Sequence, residues 1–157
     1  ACDTTPMGAA SFSLLKVRNG RCLYDNGGDV RSTTSCDAAQ RNQQWEVIYA
    51  GSGRRLFRNL ASTRCLAAES WVGTIGMAAC NMGSAAQVWA LERYEQGGFD
   101  RQYPLRLHNL AHNFCVYTDG TNDVYASLGN CGLLGTEGGR KVGIYPSGDF
   151  SMAPMQP

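Results

Sequence analysis

The side chains of this 157-residue chain that are best suited to chemistry gather just behind three cysteines. After Cys22 come Tyr24, Asp25, Asn26 and Asp29, with Asn42 and Gln43 further on. After Cys115 come Tyr117, Asp119, Asn122, Asp123 and Tyr125, whereas Cys65 is followed by little beyond Glu69 and Trp71. Carboxylates and amides exchange hydrogen bonds with hydroxyl groups, and an aromatic ring stacks on an apolar face, so these sets suit a polyhydroxylated ligand in a shallow pocket. Turn chemistry competes with that reading: Asp25-Asn26-Gly27-Gly28 and Asp119-Gly120 are strong turn signals, because Asp and Asn bond their own backbone and glycine accepts positive φ. Trp71, set among glycines in "ESWVGTIG", is either an exposed loop ring or a buried one.

No catalytic constellation accompanies them, and no enzyme activity is expected. His108 and His112 lie four apart in "HNLAH", but on a strand-and-turn segment that spacing does not converge on a metal, and the glutamate of the zinc-protease helix motif is missing. Ser52 in "AGSGR" lacks the nucleophile elbow. Neither a cofactor nor a metal is implied. Fourteen basic against thirteen acidic residues leave a net charge of +1 without a block of one sign, so direct nucleic-acid binding is not expected. No apolar run approaches the length of a spanning helix, and no signal peptide precedes Ala1, so a soluble or already processed chain is expected.

The elements that must position these residues repeat. "LFRNLASTRCLAAES" from Leu56 and "LRLHNLAHNFCVYTD" from Leu105 superpose Asn59 on Asn109 and Cys65 on Cys115, and "LLKVRNGRCLYDN" is a weaker third copy that places Asn19 ahead of Cys22. Nineteen glycines cut the chain into pieces too short for stable helices and long enough for strands. Of seven cysteines, six fall two per copy: Cys22 with Cys36, Cys65 with Cys80 and Cys115 with Cys131, separated by fourteen, fifteen and sixteen residues. Three local bridges are the economical pairing in an oxidising compartment; buried free thiols are the alternative. Nine residues past Cys36 and Cys80 stand Trp45 and Trp89, each in a Gln-any-Trp triplet with Gln43 and Gln87. In an alternating strand such a Trp faces the core, while the Gln can bond backbone. The third copy has Arg140 at that spacing. Units of this kind cannot bury their apolar faces alone, which predicts an all-β body of three copies about a pseudo-threefold axis. The units span about 12–50, 54–95 and 103–146, in one domain over 1–157.

The order of Asn, Cys-Leu, second Cys and Gln-any-Trp resembles the ricin B-type β-trefoil lectins over roughly residues 12–146. In that family an active lobe carries Asp two residues after the first cysteine and Asn-Gln at the Trp triplet. Here the Asp positions hold Tyr24, Ala67 and Tyr117, and only the first unit keeps Asn42-Gln43, so galactose binding in the ricin manner is not implied for any lobe.

Within the trefoils, "NFCVYTDGTNDVYASLGNCG", then "VGIYPSG" and a Pro-rich end, resembles the binding subunits A and C of the cytolethal distending toxins, best over the final forty or so residues. That resemblance implies a non-catalytic, cell-binding subunit of a secreted bacterial toxin. Its partners would be a nuclease-like catalytic subunit, a second trefoil subunit and a host-cell glycan, glycoprotein or lipid. A free-standing lectin, binding through Asp25, Asn42 and Gln43, is the alternative. The tail over 147–157 reads as an arm whose Phe150, Met152 and Met155 either dock on a partner or fold back over the trefoil. Cys2 after Ala1 allows three states: a lipid-anchored lipoprotein start, a bridge to a partner, or a free thiol.

Overall fold

A computed structural model describes residues 11–18, 20–68, 75–95, 97–112, 114–118, 127–131 and 140–157. Asn19, Glu69, Trp71, Asp119, Asn122, Asp123, Tyr125 and Cys2 lie outside the described residues. The chain is all-β. Its first unit holds β1 (Ser13–Val17), β2 (Cys22–Asp25), β3 (Val30–Thr33) and β4 (Trp45–Tyr49). The second holds β5 (Arg54–Asn59), β6 (Arg64–Ala67), β7 (Gly76–Ala79) and β8 (Trp89–Arg93). The third holds β9 (Leu105–Asn109), β10 (Phe114–Tyr117), β11 (Ser127–Asn130) and β12 (Val142–Pro146).

The first and last strands of successive units zip together to form a six-stranded barrel. β4 pairs β5 from Trp45↔Asn59 to Tyr49↔Arg55, β8 pairs β9 from Trp89↔Asn109 to Arg93↔Leu105, and β12 pairs β1 from Val142↔Val17 to Pro146↔Ser13. The three inner hairpins, β2–β3, β6–β7 and β10–β11, stand off this barrel. This is the trefoil that the threefold repetition predicts. β9 shows the cause in one strand: Leu105, Leu107 and Asn109 face inward, while Arg106 and His108 are only half-buried. The inward side chains of all three units meet in one core that includes Leu15, Phe57, Leu66, Leu107, Val116 and Ile144.

The repeated polar residues are clasps. The Trp45 and Trp89 indoles are fully buried and donate from Nε1 to the carbonyls of Leu23 and Leu66, each 3.1 Å away. Asn59 donates to the Asn42 carbonyl and accepts from the Ala61 amide, at 2.9 and 3.0 Å. Asn109 repeats both bonds with Ala86 and Ala111, each at 2.9 Å. A buried polar group must be satisfied, and each Asn satisfies itself by tying one unit's end to the next unit's beginning. All three bridges close as the spacing predicts: Cys22–Cys36, Cys65–Cys80 and Cys115–Cys131, with Cα separations of 5.5, 5.0 and 5.2 Å. Each contributes roughly 3 kcal/mol by restricting the unfolded chain.

The third unit departs from the other two. Trp45 and Trp89 open their strands opposite Asn59 and Asn109, and the strand that corresponds opens with Val142, opposite Val17. Arg140, the residue at the tryptophan spacing, is therefore two positions ahead of the register. It is fully buried, with its guanidinium carbon 5.4 Å from the Tyr117 ring centroid.

Two extensions wrap the β12–β1 side. The long β8–β9 connection is held by Tyr145 Oη donating to the Gln102 carbonyl at 2.8 Å, by the Arg18–Asp100 pair at 2.8 Å, and by Lys141 donating to the Gly98 carbonyl. Gly143 lets that connection lie close, because a Cβ there would run into the Gln102 carbonyl oxygen. The tail then turns at Ser147 and Gly148, both with positive φ (58° and 69°). It returns to the barrel, where the Met155 amide donates to the Ile144 carbonyl at 2.8 Å and its side chain packs on the core. Phe150 stays partly exposed, edge-on to Tyr145 at 4.9 Å and under the Lys16 ammonium at 4.2 Å; Met152 is exposed.

Candidate functional site

Beside the first unit's hairpin lies a cavity of about 540 Å³, lined by Tyr24, Thr33, Ser35, Cys36, Asp37, Gln40, Asn42 and Gln43. Local folding explains each wall. Tyr24 lies on β2, paired with Arg31, and its ring is half-buried. Thr33 ends β3, and its Oγ1 accepts from the Ser35 amide at 3.0 Å, turning the chain. The bridge from buried Cys22 pins Cys36, and a single 3-10 turn over Arg41–Gln43 delivers Asn42. Gln43 binds the far wall with both ends of its amide: Oε1 accepts from the Asp37 amide at 2.9 Å and Nε2 donates to the Ser35 carbonyl at 3.1 Å. Gln87 makes the same pair to Asn81 and Ala79, each at 2.8 Å. Gln43 is thus chiefly a frame for the cavity.

Of the first-unit candidates, the structure brings together Tyr24, Asn42 and Gln43 and sends Asp25 and Asn26 elsewhere. The Asp25 carboxylate is buried, and its Oδ1 accepts from the Gly27 and Gly28 amides at 3.0 and 3.1 Å. Asn26 bonds Asp29 through backbone and side chain. Glycine at positive φ (77° and 134°) completes the turn. Its tip reaches the second unit: Asp29 bridges Gly76, and the Met77 amide donates to the Gly28 carbonyl at 3.2 Å. The turn is an inter-unit joint.

The sequence reading missed Thr33, Ser35, Asp37 and Gln40 as cavity walls. One signal for them existed: each second cysteine of the first two units is followed by an acid or amide, Asp37 or Asn81, which the Gln clasp then orients. In the second unit Ala67 stands where Tyr24 does and Ala86 where Asn42 does, so those two positions supply neither ring nor amide. Tyr117 of the third unit is half-buried.

The histidines serve the barrel surface. His108 Nδ1 lies 3.2 Å from the Glu92 carboxylate, which Arg106 also binds at 2.6 Å. Burial pushes the Glu92 carboxyl up, but the bonds from His108 and Arg106 outweigh it and hold the group below the usual range. The His112 amide donates to Asn109 Oδ1 at 3.2 Å. Among the described residues no cluster of three or more His, Cys, Asp or Glu is placed to hold a metal, and no helix is long and apolar enough to cross a membrane.

A disulfide-closed trefoil with a walled cavity fits many proteins, and comparison narrows the family. A family profile described as the cytolethal distending toxin A/C domain matches residues 2–96. The chain belongs to that family. The match falls on the first two units, whereas the sequence reading placed the likeness best over the final forty or so residues. The fold of this A/C-domain chain is similar to that of three solved structures. The cytolethal distending toxin from Actinobacillus actinomycetemcomitans is 15% identical, with TM-score 0.69 over 95% of this chain and 94% of that one. The Haemophilus ducreyi cytolethal distending toxin is 16% identical, with TM-score 0.68 over 98% and 89%. The designed threefold-symmetric protein ThreeFoil is 16% identical, with TM-score 0.67 over 85% and 97%. No curated protein sequence matches the chain. Membership makes it a toxin subunit of the binding type.

Proposed function

We propose that this A/C-domain chain is a non-catalytic, cell-surface-binding subunit of a secreted multi-chain bacterial toxin. It engages a host glycan, glycoprotein or lipid and carries a nuclease-like catalytic subunit together with a second trefoil subunit. The family match over residues 2–96 carries the reading. Three disulfides support an oxidising, extracellular setting; nothing supports lipid anchoring at Cys2. Phe150 and Met152, exposed on the returning tail, are the partner-contact candidates, with Met155 already engaged by the core.

Native mass spectrometry of the secreted protein, without reductant, tests this. The expected result is a complex containing at least one larger second chain. A lone species of 17.0 kDa at every concentration sampled would refute the multi-chain reading. The cavity in the first unit favours one second reading, a free-standing lectin, and that is what a lone species would support.

A further inference from the structure

If the first-unit cavity is where this subunit meets a glycan, its charge decides which glycan. Among its lining side chains Asp37 is the one carboxylate, and none is basic. Its backbone is fixed by one hydrogen bond and its carboxylate by another. The Asp37 backbone amide is bound by Gln43 at 2.9 Å, and its own Oδ1 accepts from the Ala39 amide at 2.9 Å. Arg31, across the hairpin from Tyr24, is not a lining residue, and its Nε is 3.6 Å from Asp29. Arg41 lies on the 3-10 turn between two lining residues and does not line the cavity itself.

We propose that Asp37 is a specificity-determining residue, admitting uncharged or amine-bearing sugars and turning away those with a carboxylate or sulfate. The inference rests on the glycan reading of this cavity. Discrimination by repulsion is an effective way to choose among ligands of similar shape. A fixed like charge a few ångströms from a ligand anion, in a partly solvated pocket, costs on the order of tenfold in affinity or more. Tyr24 supplies the ring against which a sugar's apolar face rests, and Asn42 an amide for its hydroxyls. Neither depends on ligand charge, so binding and discrimination reside in different residues.

The test is a glycan array that pairs neutral and amine-bearing sugars with their uronic, sialylated and sulfated counterparts. It is read with the disulfide-intact full chain and with Asp37→Asn, Asp37→Glu and Tyr24→Ala. The wild type is expected to favour the uncharged or amine-bearing member by about tenfold, the preference weakening at high salt because the carboxylate is exposed. Asp37→Asn should admit the acidic members without losing the neutral ones, and Asp37→Glu should keep the preference. A wild type that favours acidic glycans, or an Asp37→Asn variant with unchanged ratios, overturns the proposal. No glycan bound at all, or binding indifferent to Tyr24→Ala, removes the underlying site and the proposal with it.

Discussion

Replacing Gln43 by Ala removes one acceptor and one donor that clasp the loop carrying Ser35 and Asp37. Each is a neutral hydrogen bond to backbone, worth about 0.5–1.5 kcal/mol net, so the pair contributes about 1–3 kcal/mol. For a chain of this size that lowers Tm by roughly 2–4 °C per kcal/mol. Gln87→Ala is the internal control. It breaks the same two bonds, each 2.8 Å, in a unit where Ala67 and Ala86 replace Tyr24 and Asn42. Urea unfolding with the disulfides intact should give similar losses for both variants, while only Gln43→Ala weakens ligand binding. Gln43→Glu sharpens the test: its carboxylate still accepts from the Asp37 amide but sets an oxygen against the Ser35 carbonyl. It should therefore be costlier at neutral pH than at a pH where it is protonated. A Gln43→Ala variant within about 0.5 kcal/mol of the wild type would refute the view that Gln43 frames the cavity.

Two further predictions concern the strapped side of the barrel. Burial, first of all, then the neighbouring Tyr103 and Asp100, push the Tyr145 phenol up to about 12. Its folded value is above the unfolded value of about 10, so the stability it contributes is complete below pH about 10 and is lost as pH rises towards about 12. Tyr145→Phe should remove a late-titrating phenol from an alkaline absorbance titration; an unchanged curve would contradict the assignment. Gly143→Ala should be destabilising out of proportion to one methyl group, because the added Cβ meets the Gln102 backbone oxygen. Hydrogen exchange should localise the loosening to the 97–103 connection, and uniform exchange would count against it.

The architecture was legible because it is written in residues whose roles are local. Cysteine pairs close short loops, an alternating strand fixes which way Trp45 and Trp89 face, and Asn59 and Asn109 recur because two identical backbone gaps need the same amide. The cavity was only half legible. Tyr24, Asn42 and Gln43 were found because they flank conspicuous motifs, but Asp25 looks the same whether its carboxylate meets a ligand or its own turn. Only the positions of the Gly27 and Gly28 amides separate the two. Thr33, Ser35, Asp37 and Gln40 were missed because a loop without periodicity becomes a wall only when a bridge and a glutamine fold it back. Arg140 marked the third unit's departure without locating the strand. Counting residues from Cys131 assumes units of equal length, whereas strand register is fixed by pairing, and pairing puts Val142 opposite Val17.

The zip between β12 and β1 joins Ser13 to Pro146 and Val17 to Val142, the most distant partners along the chain, whereas each disulfide spans only 14 to 16 residues. These two scales imply an order of events. A chain emerging from its amino end can oxidise its first two hairpins while β1 still waits with an unpaired edge. Ring closure must come last, against the greatest loop entropy. Oxidation beforehand shrinks that entropy by shortening the effective path between the two strands. By the logarithmic loop law that gain is only about 0.2 kcal/mol for two bridges, so oxidation chiefly stabilises each hairpin. The open β1 edge before closure is the stage at which two nascent copies can exchange strands.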